Sequence, residues 1–296
     1  GRCGRCWGIL QRSFARLGSR RSLNSPVQPA FGVIGLGRMA QALVLPLLES
    51  GRIPAHQLLA VVGGSGSLEQ RRLELPAGIG LVAADDPSAP KVWTAPVQLL
   101  AVKPQQLDSV AAAAPPVTDR PLLISVLAGV SLARLQHLFP GHCCVRAVPN
   151  TPALVGAGLT ALAWGEGISP AQRDQVQQLF ADVGEVLELA EAKLDAFLAL
   201  TSSGPAFVAL VAEAMADGAV AAGLPRDLAL RLSHRTLAGT AELLDRRDLH
   251  PAQLKDMVTS PAGTTIAGVR ALERIGLRSA LIEAVVAAAE RSRELA

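Results

Sequence analysis

The residues best arranged for chemistry lie between Pro251 and Glu273, in the segment PAQLKDMVTSPAGTTIAGVRALE. An amphipathic turn of helix stops at Ser260-Pro261-Ala262-Gly263, and a second helical pattern starts at once with Thr264, Thr265, Ile266, Val269 and Leu272. The first amides of a helix have no intrahelical partners, and the macrodipole places partial positive charge there. A small carboxylate is therefore stabilised against such a start. Gly263 lets the backbone approach a ligand, and the hydroxyls of Thr264 and Thr265 stand beside it. A simple N-cap needs fewer residues than this segment supplies. The five histidines, His56, His137, His142, His234 and His250, have no metal or nucleophile partner at useful spacing. They are expected in structural or surface positions, in polar or helix-end contexts, and no metal centre or catalytic triad is expected.

A second constellation lies near the start of the folded region. Phe31-Gly32-Val33-Ile34 reads as a strand that runs into Gly35-Leu36-Gly37-Arg38-Met39-Ala40 and then a helix through Leu48. This is G-x-G-x-x-A in the strand–turn–helix context that binds dinucleotides. Gly35 permits the tight turn, Gly37 lets a pyrophosphate reach the amides at the helix start, and Ala40 permits close helix–strand packing. Where an NAD enzyme offers Asp or Glu to the ribose after its second strand, this chain has Gly63-Gly64-Ser65-Gly66-Ser67. Ser65 and Ser67 can hydrogen-bond a 2′-phosphate, and Arg71 or Arg72 can neutralise it. NADPH is therefore expected over NADH, with NADH still possible. Ala101-Val102-Lys103-Pro104 ends a later strand at the carboxyl edge, where ligands collect in open α/β sheets, and places Lys103 for cofactor contact.

The elements that must position these residues follow from the apolar pattern. From Phe31 to about Leu189, short runs alternate with helical or turn-rich stretches: FGVIG, LLAVV, GLVAA, VQLLAV, PLLISVL, CCVRAV, LTALAW and EVLEL. Such alternation predicts a mostly parallel sheet covered by helices. A helix is predicted from Pro170 to Val183, closed by Gly184. After Glu191 the strands stop, and helices are divided at Gly204-Pro205, Gly223-Pro225 and His250-Pro251. The helix from about Pro205 to Ala222 is apolar nearly all round, with only Glu213 and Asp217 charged, so it should be buried on most sides, and a partner subunit would bury it well. The expected division is a dinucleotide-binding domain over 30–190 and a helical domain over 191–296.

Composition narrows the classes of function. Residues 1–30 hold six Arg and no acid, so the formal charge of +3 becomes about −3 for the remainder. A nucleic-acid partner is not expected from that balance. Residues 1–29 read as a basic leader, either transit-like or an extension that is disordered or not native, and are set apart from the fold. No run of about 18 uninterrupted apolar residues occurs, so no membrane partner is expected and the location is taken as cytoplasmic. Cys3 and Cys6 have a metal-like spacing without a second pair, and Cys143-Cys144 falls in an apolar run.

The 251–273 segment resembles the diagnostic segment of the pyrroline-5-carboxylate reductase family at Pro251, Leu254, Val258-Thr259-Ser260, Ala262-Gly263, Thr265, Gly268-Val269 and Leu272-Glu273. The likeness extends to Ala101-Val102-Lys103-Pro104, to Ser125–Val130, to Arg146–Pro152 and to Thr201-Ser202-Ser203-Gly204-Pro205-Ala206. It implies an N-terminal Rossmann-type, doubly wound parallel sheet, an all-α C-terminal dimerisation domain, and NAD(P)H-dependent reduction of 1-pyrroline-5-carboxylate to L-proline. It further implies that Val258, Ser260, Gly263, Thr264 and Thr265 hold the substrate, with Thr265 nearest the reacting imine. Ser203 is a substrate contact or a helix cap, Ala128 lies near the nicotinamide, and Asp86 stands where the family has a polar group near the adenosine. The family's Pro-Gly-Gly is Pro261-Ala262-Gly263 here, and its common Asn before the Val is Met257. A β-hydroxyacid dehydrogenase shares the glycine start but needs a Lys four residues after a helix-opening Gly. Here that position after Gly204 is Val208. A non-catalytic NADP sensor on the same fold would have no use for a carboxylate pocket.

Overall fold

The computed structural model describes residues 28–294, so the leader with Cys3 and Cys6 lies outside the described residues. Eight strands form one sheet: β1 (Phe31–Ile34), β2 (Leu58–Val62), β3 (Gly80–Ala83), β4 (Val97–Leu100), β5 (Leu122–Ser125), β6 (Cys143–Val148), β7 (Gly158–Trp164) and β8 (Gly184–Glu188). Their order is β3-β2-β1-β4-β5-β6-β7-β8. This is the doubly wound order in which the chain reverses direction beside β1, and the crevice at that reversal is where such sheets bind ligands. Every neighbouring pair is parallel except β6 and β7, where Val145 pairs with Trp164 in antiparallel register. The reversal is made by a short turn through Thr151–Val155, closed by Gly156 in the left-handed region.

The four central strands are buried along their whole length, as continuous apolar runs in a sheet covered on both faces must be. Helix α1 (Arg38–Glu49) lays Ala40, Leu43, Val44 and Leu47 against this sheet. α2 (Ser65–Glu74), α3 (Leu107–Ala113), α4 (Leu132–Leu138) and α5 (Pro170–Ala181) follow in turn. α5 begins with a capping box in which Ser169 Oγ accepts the Gln172 amide and the Gln172 side chain accepts the Ser169 amide. It ends at Ala181, so Gly184 does not close it. Gly184 opens β8 at φ 152, and a Cβ there would stand 2.0 Å from the Gly158 carbonyl oxygen. Backbone-to-backbone approach rather than helix termination is what requires glycine at this position.

His142 departs from the polar setting expected of it. It is 6% exposed and packs edge-on against Trp93 and Phe139, with its Nε2 3.1 Å from Gln98 Oε1. The Gln98 amide is in turn held by the Trp93 and Ala95 carbonyls. Burial pushes the imidazole pKa down to about 4.

The chain divides into two compact units, the second beginning at Ala192. This unit is wholly helical: α6 (Leu194–Thr201), α7 (Gly204–Ala221), α8 (Arg226–Arg246), α9 (Pro251–Met257), α10 (Thr264–Ile275) and α11 (Leu277–Glu294). α7 pairs with α8, where the buried Ser233 hydroxyl donates to the Ala212 carbonyl, and α6 pairs with α11 through Ser292 and Asp195. The expectation that α7 is buried on most sides fails for the single chain. Only Ala212 and Ala216 are buried, while Val208 and Leu210 are 54% and 66% exposed. The stretch Glu191–Ala221 is long and apolar enough to cross a membrane by length and composition alone, although it is interrupted at Ser202 and Ser203.

Candidate active site

The β1–α1 turn is shaped by Gly35. Its φ of 87 is the left-handed region, its amide donates to the Val61 carbonyl, and a Cβ would lie 2.8 Å from the Ala101 oxygen and the Val102 nitrogen. Gly37 then caps α1 without any side-chain bond, and nothing stands within 4 Å of where its Cβ would be. The first amides of a 12-residue helix thus face open space.

That space is a cleft of about 300 Å³. Of the residues expected at the cofactor, Gly35, Leu36, Gly37, Ala101, Val102 and Lys103 line it. Arg38 and Met39 occupy the next positions in the first turn of α1, Pro104 opens the short turn after Lys103, and Ser65 opens α2. Arg38, Met39 and Pro104 do not line the cleft. Ala128 lies half-buried on the loop after β5. Asp86 is turned away: its carboxylate accepts the Ser88 amide and hydroxyl, which holds its pKa below the usual carboxylate range. Ala84, just past the end of β3, lines the cleft, and Asp86 does not.

Of the two arginines considered for a phosphate, Arg71 lines the cleft with Gly63 and Ser67, whereas Arg72 lies against Pro76 and Ile79 at the sheet edge. Helical geometry separates them, since Ser67 and Arg71 are four residues apart and share a face. Gln106, Val61, Val62 and Val110 also line the cleft and were not anticipated from sequence. For Gln106 a signal existed, because its side chain accepts the Lys103 amide at 3.2 Å and fixes the turn that presents Lys103. Among the described residues that line it none is acidic, and Lys103 and Arg71 are its cations. A cleft of about 270 Å³ at the opposite, amino-terminal edge of the sheet offers only Arg52 as a cation, already engaged by Asp182 at 2.6 Å.

A carboxylate anchors the end of the loop after β5. Glu191 Oε1 accepts the Leu132 amide at the start of α4 at 2.7 Å and Arg146 Nη1 at 3.2 Å, with Arg146 only 5% exposed. The partial positive charge of a helix start and a buried guanidinium stabilise the same carboxylate.

In the helical unit, His250 caps α9 by accepting the Ala252 amide, with Gln253 closing the capping box. α9 stops at Met257, and Thr259 to Gly263 make the break. The Thr259 hydroxyl donates to the Lys255 carbonyl at 2.6 Å, and the Gly263 amide donates to the Ser260 carbonyl at 3.1 Å. Ala262 is held at φ 57, a conformation costly for any residue with a Cβ. Gly263 caps α10, a second 12-residue helix, without a side-chain bond, and the Ser260 hydroxyl stands against it. Ser260 and Thr264 are exposed, Gly263 and Thr265 are half-buried, and Val258 is 58% exposed. Ser203 precedes α7 and makes no side-chain cap there. Among the described residues no group of three His, Cys, Asp or Glu could hold a metal ion.

A doubly wound sheet with an amide-lined glycine turn, followed by an all-helical unit, defines the class of two-domain dinucleotide-dependent oxidoreductases. Residues 30–129 match the family described as NADP oxidoreductase coenzyme F420-dependent, and residues 191–295 match pyrroline-5-carboxylate reductase dimerisation. The pyrroline-5-carboxylate reductase of Synechocystis sp. is 48% identical over 264 residues, covering 89% of this chain and 97% of that protein. That of Glycine max is 40% identical over 265 residues, covering 89% and 95%. The chain belongs to the pyrroline-5-carboxylate reductase family. Among solved structures, the Plasmodium falciparum pyrroline carboxylate reductase with NADP bound superposes with a TM-score of 0.81 at 27% identity, covering 90% of this chain and 98% of that one. The Streptococcus pyogenes 1-pyrroline-5-carboxylate reductase gives 0.79 at 28% identity, covering 89% and 98%.

Proposed function

We propose that the chain reduces 1-pyrroline-5-carboxylate to L-proline, the last step of proline synthesis, with NADPH as the preferred reductant and NADH as a weaker one. The donor set of the cleft supports this cofactor. Open α1 amides suit a pyrophosphate, Lys103 adds positive charge, and Ser67 and Arg71 suit a 2′-phosphate where an NAD enzyme would place an acid. Bound there, the reduced nicotinamide supplies a hydride to the imine carbon. The protein's own residues do the rest.

The observation that carries the reading is the start of α10, which no side chain caps. Its uncapped amides receive the substrate carboxylate, with Ser260 and Gly263 shaping the approach, Thr264 beside them and Val258 against the ring. Thr265, half-buried in the first turn, directs its hydroxyl to the ring nitrogen. A cyclic imine is basic enough to be reduced as the iminium, so the second hydrogen is a proton already on nitrogen or one passed by that hydroxyl. The C=N bond becomes CH–NH. No carboxylate pair or metal is needed, because positioning and charge complementarity supply most of the acceleration. Ser203 belongs to this substrate set, and Leu36, Arg38, Met39, Pro104 and Ala128 to the cofactor set. The domains assigned to these roles are 30–190 and 191–296. Self-association as a dimer through the exposed face of α7, in the cytoplasm, completes the reading.

The test follows NADPH absorbance when 1-pyrroline-5-carboxylate is added, with proline identified as product. Imine-dependent oxidation is the expected result. Dinucleotide binding without it would remove the enzymatic reading.

A further inference from the structure

Ser67, Arg71 and Glu74 fall at helical spacing on α2, so the stripe that faces the cleft continues one turn beyond it. Glu74 does not line the cleft, yet it controls the cation that does. Its Oε2 holds the Arg71 guanidinium and its Oε1 accepts the Gln70 side-chain amide at 3.1 Å, so the carboxylate is fixed from two sides. Both partners are mostly shielded, with side chains 22% and 25% exposed. Arg71 is therefore aligned toward the cleft and partly neutralised at once. A bound 2′-phosphate, carrying close to two negative charges, must share Arg71 with Glu74 and is also repelled by it. A 2′-hydroxyl meets neither effect.

We infer that Glu74 sets the cofactor discrimination of this chain: by competing for Arg71 it weakens binding of the 2′-phosphorylated dinucleotide and leaves the unphosphorylated one untouched. This rests on the NADPH reading above. The residue is a tuning group acting through Arg71, and it touches no reacting atom.

The test is a fluorescence titration of NADPH and of NADH against the full chain, the Glu74→Gln variant, Arg71→Ala and the double variant. With the competing carboxylate removed, Glu74→Gln should tighten NADPH by about fivefold, or about 1 kcal/mol. NADH affinity should stay within about twofold, a margin of a few tenths of a kcal/mol. In the Arg71→Ala background the same substitution should change nothing, because the competition is gone. Equal tightening of both dinucleotides would overturn the inference, as would weaker NADPH binding in Glu74→Gln, which would make Glu74 merely a prop for Arg71. If the unaltered chain binds neither dinucleotide, the cofactor reading itself falls and this inference falls with it. Normal binding with no change in Glu74→Gln refutes the tuning role alone.

Discussion

The two units of this chain solve burial in opposite ways. The sheet unit closes over itself: Val33, Leu99, Ile124 and Val145 are at most 2% exposed, and helices cover both faces. The helical unit buries mainly small residues where helices cross, among them Ala199, Ala212, Ala216 and Ala229. Leu194 and Leu254 are buried with them, but many of its other large side chains stay outside. Val208, Leu210, Ile275 and Ile282 are 54%, 66%, 77% and 56% exposed, far more apolar surface than a self-sufficient monomer shows. One unit encloses its own core, whereas the other is, on the present proposal, half of a core completed by a second copy.

The largest effects should come from truncating the same residue type on the two sides. Leu99→Ala should cost about 3 kcal/mol of stability in denaturant unfolding, because it opens a cavity in a closed core. Leu210→Ala in the dissociated chain should cost almost nothing, and Leu210→Glu should shift the assembly to smaller species by light scattering. Equal costs for the two alanine variants in a dissociated chain would break the contrast.

Thr265→Val should lower kcat about a hundredfold, in the range of a lost proton-donating or orienting group, while NADPH titrations stay unchanged. Lys103→Ala should do the reverse, weakening NADPH with little effect on turnover at saturation. The pair separates substrate work in one unit from cofactor work in the other.

Acid should act first on the sheet unit. Folded His142 titrates near 4, against about 6.5 when unfolded, so below pH 6.5 the unfolded chain gains a proton that the folded chain refuses. The stabilisation is complete above pH 6.5 and is lost as pH falls toward 4, reaching about 2 kcal/mol by pH 5. His142→Gln should flatten that part of the stability profile, whatever its effect at neutral pH.

The smallest effect concerns the loop between α9 and α10. Ala262→Gly should stabilise the helical unit by about 0.5 kcal/mol, the relief at φ 57 being partly offset by the greater freedom of the unfolded chain. Calorimetry would detect it as a small rise in Tm, and a fall would mean that Ala262 gains contacts outweighing its strain.

Much of the scaffold could be read from residues because each signal was local. Apolar runs located all eight strands, Gly35-Leu36-Gly37 marked the turn, and Ser260-Pro261 marked the break between α9 and α10. Strand direction was not legible, since LTALAW is equally apolar read either way, and only the short turn after Pro149 makes β7 antiparallel. The choice between Arg71 and Arg72 depended on which face of α2 meets β3, a tertiary fact. Asp86 is engaged locally, because Ser88, two residues on, holds its carboxylate in a turn. His142 looked polar by its neighbours in sequence and became buried through Trp93, Phe139 and Gln98, which the fold brings from elsewhere.

The approach of Gly184 to Gly158 bears on how this protein can vary. Every missense change at 184 adds at least a Cβ, and that atom would fall 2.0 Å from a carbonyl oxygen which the β7–β8 ladder holds in place. In a saturation library this codon should be effectively monomorphic, while Leu73, 82% exposed on α2, should accept nearly every alternative. Inherited variants at the two positions deserve opposite readings, although neither residue lines the cleft.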